Sequence, residues 1–132
     1  MNKIFVDTSG WYALIDQKDP DHPFAASWFS KNTFPLLTTN YILSETLTLL
    51  KMRLGHRKAT SFANTLFKSK IIQIVTMTKE HDKAALQLFY KYADQSFSYV
   101  DCSSFAIMKL LNIQQALSFD RDFVRAGFIS VP

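Results

Sequence analysis

Along this chain, short unbroken apolar runs alternate with longer stretches whose apolar residues recur every three or four positions. Ile4-Phe5-Val6 is the first run of strand type, and Leu36-Leu37-Thr38-Thr39 the second. Ile71, Ile72, Ile74 and Val75 make a third, rich in β-branched residues that suit a pleated, buried surface. Residues 116–119 form a fourth, and residues 129–131 add a fifth. Between them lie helical patterns. Thr8, Ser9 and Gly10 open the first helix, and a polar stretch broken by Pro20 and Pro23 follows it. Residues 24–31 then read as a short aromatic helix, with Phe24, Trp28 and Phe29 expected in the core. Asn40 is expected to cap a long helix with Leu43, Leu47 and Leu50 on one face, ending at Leu54 before Gly55. Residues 56–68 continue through Ala59, Phe62, Ala63, Leu66 and Phe67. Thr78 reads as the N-cap of a helix over 79–92, with Ala85, Leu88, Phe89 and Tyr92 facing inward. The last helix is expected over 100–111.

Strands alternating with helices indicate an α/β domain with a short, mostly parallel central sheet. The 132 residues suit one domain spanning 1–132, without repeat, linker or low-complexity segment. In such sheets ligands sit beyond the carboxyl ends of the strands. Asp7 and Asp120 close two of the expected strands, in IFVD and LSFD, and would share one crevice if those strands are adjacent.

Composition narrows the class. A hydrophobic fraction of 48% with twelve Phe argues for a folded core and against disorder. The single cysteine, Cys102, excludes an intrachain disulfide framework and suits a reducing compartment. The apolar start stops at Asp7 and no run approaches membrane-spanning length, so a cytoplasmic domain without a membrane role is expected. The net charge of +4 is a mild lean toward polyanions. Its distribution says more: Lys51, Arg53, Arg57 and Lys58 cluster around Gly55, while Arg121 and Arg125 flank Asp122. Such clusters are either solvated helix ends or contacts for phosphates.

Four acids stand in apolar surroundings. Asp7 ends a strand, Glu45 sits one turn into a helix, Asp101 begins one within FSYVDCSSFAIM, and Asp120 ends another strand. Singly, each has a plain reading as a helix cap or turn residue. Together those readings weaken, because two carboxylates about 5 Å apart repel by roughly 3 kcal/mol at an effective dielectric of about 20. No Lys or Arg is sequence-adjacent to Asp7, Glu45 or Asp101. A divalent cation is the economical neutraliser, and an all-oxygen donor set without His or Cys suits Mg²⁺ or Mn²⁺ better than Zn²⁺. Carboxylate-held metal that keeps its waters is suited to phosphate-ester hydrolysis. With the basic clusters holding flanking phosphates, hydrolysis of a nucleic-acid backbone is the leading reading.

FVDTSGWYALID, TTNYILSET, FSYVDCSSFAIM and ALSFDRDFVRAGF resemble, in order and over nearly the whole chain, the successive motifs of the PIN-domain ribonucleases, and among them the VapC-like toxins of toxin–antitoxin pairs. The resemblance implies a PIN-like three-layer fold and a Mg²⁺- or Mn²⁺-dependent ribonuclease. It implies Asp7, Glu45, Asp101 and Asp120 as the catalytic, metal-binding set, with Asp122 an alternative fourth acid. Thr8 and Ser9 would shape the loop carrying Asp7. Ser118 stands where the family often has Thr, so a hydroxyl is kept. Thr8, Ser9, Ser118, Lys51, Arg53, Arg57, Lys58 and Arg121 are the candidate substrate contacts. The resemblance also implies a homodimer and a small antitoxin partner, for which the Phe24–Phe29 segment is a candidate contact. His22 and His56 are read as bystanders.

Two other functions remain open on sequence. A phosphatase using Asp7 as a covalent nucleophile would want a second Asp two residues on, and Ser9 stands there. A catalytically silent RNA-binding or scaffold module would be expected to lack some of the acids, and none is missing.

Overall fold

The computed structural model describes residues 2–132. Twelve elements follow one another as β1 (Ile4–Val6), α1 (Thr8–Ile15), α2 (His22–Lys31), β2 (Leu36–Thr39), α3 (Asn40–Leu54) and α4 (His56–Lys68). They continue as β3 (Ile72–Val75), α5 (Lys79–Lys91), α6 (Tyr99–Leu110), β4 (Gln115–Leu117), α7 (Asp122–Arg125) and β5 (Ile129–Val131). The strands form one sheet in the order β3-β2-β1-β4-β5 with every pair parallel. The expected α/β domain with helices flanking the sheet is what forms, and its sheet is wholly parallel.

Every residue of β1 and β2 is buried, as covering both faces of a parallel sheet requires. β1 occupies the centre, with Val6 opposite Leu117 of β4. From β1 the chain first builds outward through β2 and β3, then crosses back to place β4 on the other side. The strand order therefore reverses between β1 and β4, and a crevice opens where their connections diverge.

A run of aromatic contacts fills one side of the core. Phe123 lies 6.1 Å from Phe5 and 5.0 Å from Phe105, and Phe97 lies 5.1 Å from both Phe105 and Tyr92. On the β2 side, Trp11 meets Phe62 edge-on at 5.5 Å and donates its indole N–H to Thr38 Oγ1 at 3.3 Å.

Several local expectations are corrected. Thr39, not Asn40, caps α3: its hydroxyl accepts the Ile42 N–H at 3.1 Å, while Asn40 Oδ1 takes the Met77 N–H at 2.8 Å. Phe24 and Phe29 are exposed, at 62% and 39%, because α2 meets the body through Ala25 and Trp28. Phe67 on α4 and Phe89 on α5 are likewise outward, at 66% and 44%. β4 ends at Leu117, so Asp120 lies three residues beyond the strand, and residues 122–125 form a short helix the periodicity did not show. None of the described helices is long and apolar enough to cross a membrane.

α1 is pressed so closely on β4 that a Cβ at Gly10 would stand 2.4 Å from the Leu117 carbonyl oxygen and 3.0 Å from its side chain. The clash is with backbone, which cannot swing aside. Gly10→Ala is expected to destabilise the fold by roughly 1–3 kcal/mol, the usual range for overpacking, read by urea denaturation. A variant as stable as the wild type would show that α1 can lift off β4.

Candidate active site

A cleft of about 390 Å³ opens beside the carboxyl ends of β1 and β4, lined by Asp7, Glu45, Asp101 and Asp120 among others. Asp7 directly follows β1 and is only 5% exposed. It occupies the N-cap position of α1 in extended conformation (φ −83°, ψ 164°), yet its carboxylate makes no capping bond. Instead Asp7 Oδ2 accepts hydrogen bonds from Ser9 Oγ at 2.9 Å and Ser118 Oγ at 3.2 Å. Those hydroxyls serve the backbone as well. Ser9 Oγ accepts the Phe119 N–H at 3.0 Å, and Ser118 Oγ accepts the Asp120 N–H at 3.1 Å. Ser9 and Ser118 thus tie the segments after β1 and β4 to one carboxylate.

Thr8 is buried and its hydroxyl accepts from Thr46 Oγ1 at 3.2 Å, which braces α1 against α3. Thr8 and Ser9 belong to the first turn of α1, so the expected loop around Asp7 is helical. All three hydroxyls have structural partners, and Ser9 and Ser118 act on Asp7 itself.

Burial pushes the Asp7 carboxyl up to about 6, against the hydrogen bonds from Ser9, the Thr8 backbone and Ser118, and the Asp120 charge adds to the rise. That displacement corresponds to about 3 kcal/mol of bias against the charged form. Asp101 is pushed up to about 7, by burial first, with contact from the Asp122 carboxyl and the charges of Asp7 and Asp120 adding to it. Only the Ser98 N–H opposes the shift.

Asp101 is not the N-cap of α6. Ser98 is, and Asp101 completes a capping box with it: Ser98 Oγ accepts the Asp101 N–H at 3.0 Å, and Asp101 Oδ2 accepts the Ser98 N–H at 3.1 Å. One carboxylate oxygen is engaged in the cap. The same residue lines the cleft and offers an oxygen to a tight group: one oxygen each from Asp101, Asp120 and Asp122 lies within 4.8 Å of the others. Asp120 Oδ1 also accepts the Asp122 N–H at 3.0 Å. Asp122 carries the one ion pair found among the described residues, with Arg125 Nη1 at 3.5 Å. Asp7 and Glu45 line the cleft without joining this three-carboxylate group.

Glu45 is exposed on α3, contrary to the buried position its apolar neighbours suggested. Its neighbour Thr46 faces inward, and Glu45 lines the cleft from α3. Three helix N-termini meet the acids: Asp7 precedes α1, Asp101 lies in the first turn of α6, and Asp122 opens α7. Their partial positive charge eases the crowding without neutralising it.

Asp19 and Asp21 also line the cleft, although their Pro-broken stretch read as surface loop. The His22 ring contacts the Ala13 carbonyl at 2.7 Å and so folds that loop back against α1. Nothing in the local sequence beyond the density of acids could have signalled it. Tyr12 was missed as well, because its helical spacing reads as core. It is buried and donates its hydroxyl to Asp16 Oδ2 at 2.7 Å, and the Arg53 guanidinium lies over its ring at 5.2 Å.

Of the basic candidates, Arg53 alone lines the cleft. Lys51 is two residues earlier on α3, about 200° around the helix at 3.6 residues per turn. It lines a separate recess with Leu47, His56 and Ala59. Lys58 acts on Asp16, and Arg57 and Arg121 are exposed outside the cleft. The expected phosphate-holding quartet is therefore not assembled as a unit.

The donor set fits a hard divalent cation. Crowded carboxyl oxygens, two carboxyls displaced upward and, among the described residues, no ion pair to Asp7, Asp101 or Asp120 are the features that suit Mg²⁺ or Mn²⁺. Asp101, Asp120 and Asp122 could hold one ion, with Asp7 and Glu45 reaching from the flanks.

Comparison with known proteins bears on the family and the fold. The PIN domain family matches residues 4–129. A Mycobacterium tuberculosis protein named 23S rRNA-specific endonuclease VapC20 is 37% identical over 128 residues, covering 97% of each chain. An Archaeoglobus fulgidus VapC ribonuclease is 30% identical over 121 residues, covering 86% of this chain and 72% of its own. The crystal structure of M. tuberculosis VapC20, described as a toxin that cleaves the sarcin–ricin loop, superposes with a TM-score of 0.90 at 36% identity over 96% of each chain. A toxin–antitoxin complex from Klebsiella pneumoniae shares the fold, with a TM-score of 0.71 at 11% identity over 98% of this chain and 96% of its own. By family match, by identity to VapC ribonucleases and by fold, this chain belongs to the PIN-domain family, among its VapC-like proteins.

Proposed function

We propose that this chain is a metal-dependent endoribonuclease and the toxin of a toxin–antitoxin pair, with Asp7, Glu45, Asp101 and Asp120 as its catalytic acids. The observation that carries the reading is the convergence of these carboxylates on one cleft at the strand-order reversal, where Arg53 is the one basic side chain in the lining and none of the four acids makes an ion pair among the described residues. Mg²⁺ or Mn²⁺ bound there would acidify water and steady charge on the scissile phosphate. The residues of the chain do the rest. Ser9 and Ser118 hold Asp7 in one orientation, and the Ser98 cap does the same for Asp101. Asp120 faces the cleft, whereas Asp122 is drawn toward Arg125, which favours Asp120 as the fourth acid. Arg53, steadied on Tyr12, is placed to hold a phosphate flanking the cut.

The identity to VapC20 supports 23S ribosomal RNA as substrate. The similarity to toxin–antitoxin complexes supports an antitoxin partner, and a homodimer is part of the same reading. The partly exposed Phe29 lines an apolar recess of about 280 Å³ with Trp11, Leu14, Ile15, Phe62 and Leu66, suited to an antitoxin helix.

Purified protein is expected to cut RNA only when Mg²⁺ or Mn²⁺ is supplied, with ribosomes as the first substrate to try; full activity in excess EDTA would refute the mechanism. Asp7→Asn, Glu45→Gln and Asp101→Asn should each remove most activity with the circular dichroism spectrum unchanged. Asp122→Asn should be milder than Asp120→Asn, and the opposite order would move the fourth site to Asp122. Arg53→Gln should raise KM and lower the salt dependence of RNA binding, whereas Lys51→Gln should do neither.

A second test needs no substrate. Asp7 titrates at about 6 in the folded state against 3.8 for an ordinary aspartate, so the fold holds this proton more tightly than the unfolded chain does. Asp101 behaves likewise with a folded value of about 7. In metal-free buffer, stability should therefore be greatest below about pH 4 as far as these groups contribute, and fall as pH rises to about 7. Asp7→Asn should flatten that fall and stabilise the metal-free protein at neutral pH by roughly 1–3 kcal/mol. Mg²⁺ should raise the melting temperature of the wild type more than that of Asp7→Asn. Equal Mg²⁺ shifts, together with a lower melting temperature for Asp7→Asn in EDTA, would remove Asp7 from the shared site.

A further inference from the structure

A half-buried carboxylate, Asp82, lies away from the cleft and belongs to none of the roles above. Asp82, in the first turn of α5, accepts hydrogen bonds from two phenols on two other helices. Tyr41 Oη is 2.8 Å from both of its oxygens, and Tyr99 Oη is 2.7 Å from Oδ1. Asp82 makes no ion pair among the described residues. The hydrogen bonds from Tyr99 and Tyr41 hold its carboxyl below the usual range. Burial and then the Asp82 charge push the Tyr99 hydroxyl up to about 12, so both partners keep these states throughout the physiological range.

The two phenols occupy telling positions. Tyr41 is the second residue of α3, one turn before Glu45 on the same helix. Tyr99 is the first residue of α6, two before Asp101. A single carboxylate thus joins the starts of the two helices that bring Glu45 and Asp101 to the cleft. Its own placement is rigid, because α5 begins with a capping box in which Thr78 and His81 bond each other reciprocally. The Asp82 N–H, in turn, is bonded to the Thr78 carbonyl at 3.0 Å.

We infer that Asp82 is a positioning residue that sets the separation of Glu45 and Asp101 through Tyr41 and Tyr99. The two arms are unequal. The start of α3 has a second tether, Asn40 Oδ1 to the Met77 N–H at 2.8 Å, on the segment leading into α5. The start of α6 is tied to α5 through the Tyr99 hydroxyl, which bonds the Asp82 carboxylate at 2.7 Å and its backbone carbonyl at 3.3 Å, with the Tyr99 ring edge-on to Phe89 at 6.0 Å. Losing the Tyr99 hydroxyl should therefore displace Asp101, whereas losing the Tyr41 hydroxyl leaves α3 tied.

The inference rests on the nuclease reading for its functional sense, but it is tested first without RNA. Mn²⁺ is titrated into the metal-free full-length chain and its affinity read by calorimetry for wild type, Tyr99→Phe, Tyr41→Phe, Asp82→Asn and Tyr90→Phe. Tyr90 is exposed on α5 and is the control. Tyr99→Phe and Asp82→Asn should weaken Mn²⁺ by about 10-fold, the size seen when outer groups that orient metal ligands are removed. Tyr41→Phe should have a smaller effect and Tyr90→Phe none. With RNA, kcat should fall in the same order while KM stays unchanged, since Arg53 is untouched. Tyr99→Phe keeps the ring and is expected to fold even if Asp82→Asn does not. Unchanged Mn²⁺ affinity and kcat for Tyr99→Phe, with only a lower melting temperature, would reduce the triad to a structural clamp and overturn the inference. An Mn²⁺ affinity that falls in this order in a chain that cuts no RNA would sink the nuclease reading and support the positioning role.

Discussion

Asp7 lies out of water at the end of the central strand, held by two hydroxyls and in no ion pair among the described residues. Burying a carboxylate there opposes folding, and the neighbouring acids add to the cost. Much of the local architecture answers that constraint. Ser9 and Ser118 supply donors, and three helix N-termini point their partial positive charge at the acids. These devices are weak beside a full counter-charge. On the proposed reading, a divalent ion bound in this cleft would relieve that cost and so link metal binding to stability.

The same groups serve fold and site at once. Ser9 and Ser118 orient Asp7 while they accept the Phe119 and Asp120 N–H groups that shape the exit from β4. Asp101 caps α6 with one oxygen and faces its fellow acids. The close seat of α1 at Gly10 on Leu117 brings the ends of β1 and β4 together, and with them the cleft. Function and stability are therefore in tension at these positions. Neutralising an acid relieves repulsion while abolishing the proposed chemistry, as is common where a site carries a strained charge distribution.

Beyond the acids, the structure separates what a charge count merges. Lys51 and Arg53 are neighbours in sequence but point to different sides of α3. Asp19 and Asp21 look like ordinary loop acids but stand at the mouth of the cleft. Arg53 is the one basic side chain lining a wall otherwise rich in carboxylates. A polyanionic substrate would meet that rim at a cost, which argues for a cation in the cleft before RNA arrives.

The sequence by itself determined most of the strands, the long helices and the parallel α/β class. Those properties rest on period, capping chemistry and composition, which act within a few residues of one another. Its errors were also local. Asn40 was taken for a cap because Thr39 beside it is equally able to cap, and only the Met77 N–H across the fold chose between them. Phe24, Phe29 and Phe89 were assigned inward because periodicity reports a helix face and not whether anything covers it. Tertiary structure alone decided which acids meet. It grouped Asp122 with Asp101 and Asp120, left Glu45 exposed on α3, and joined Tyr41, Asp82 and Tyr99 from three helices. The physical reason is that side chains as far apart as Tyr99 and Asp82 (17 residues) or Ser118 and Asp7 (111 residues) interact only after the sheet closes, and their separation is set by how α1, α3, α5 and α6 pack on it, which no local pattern encodes.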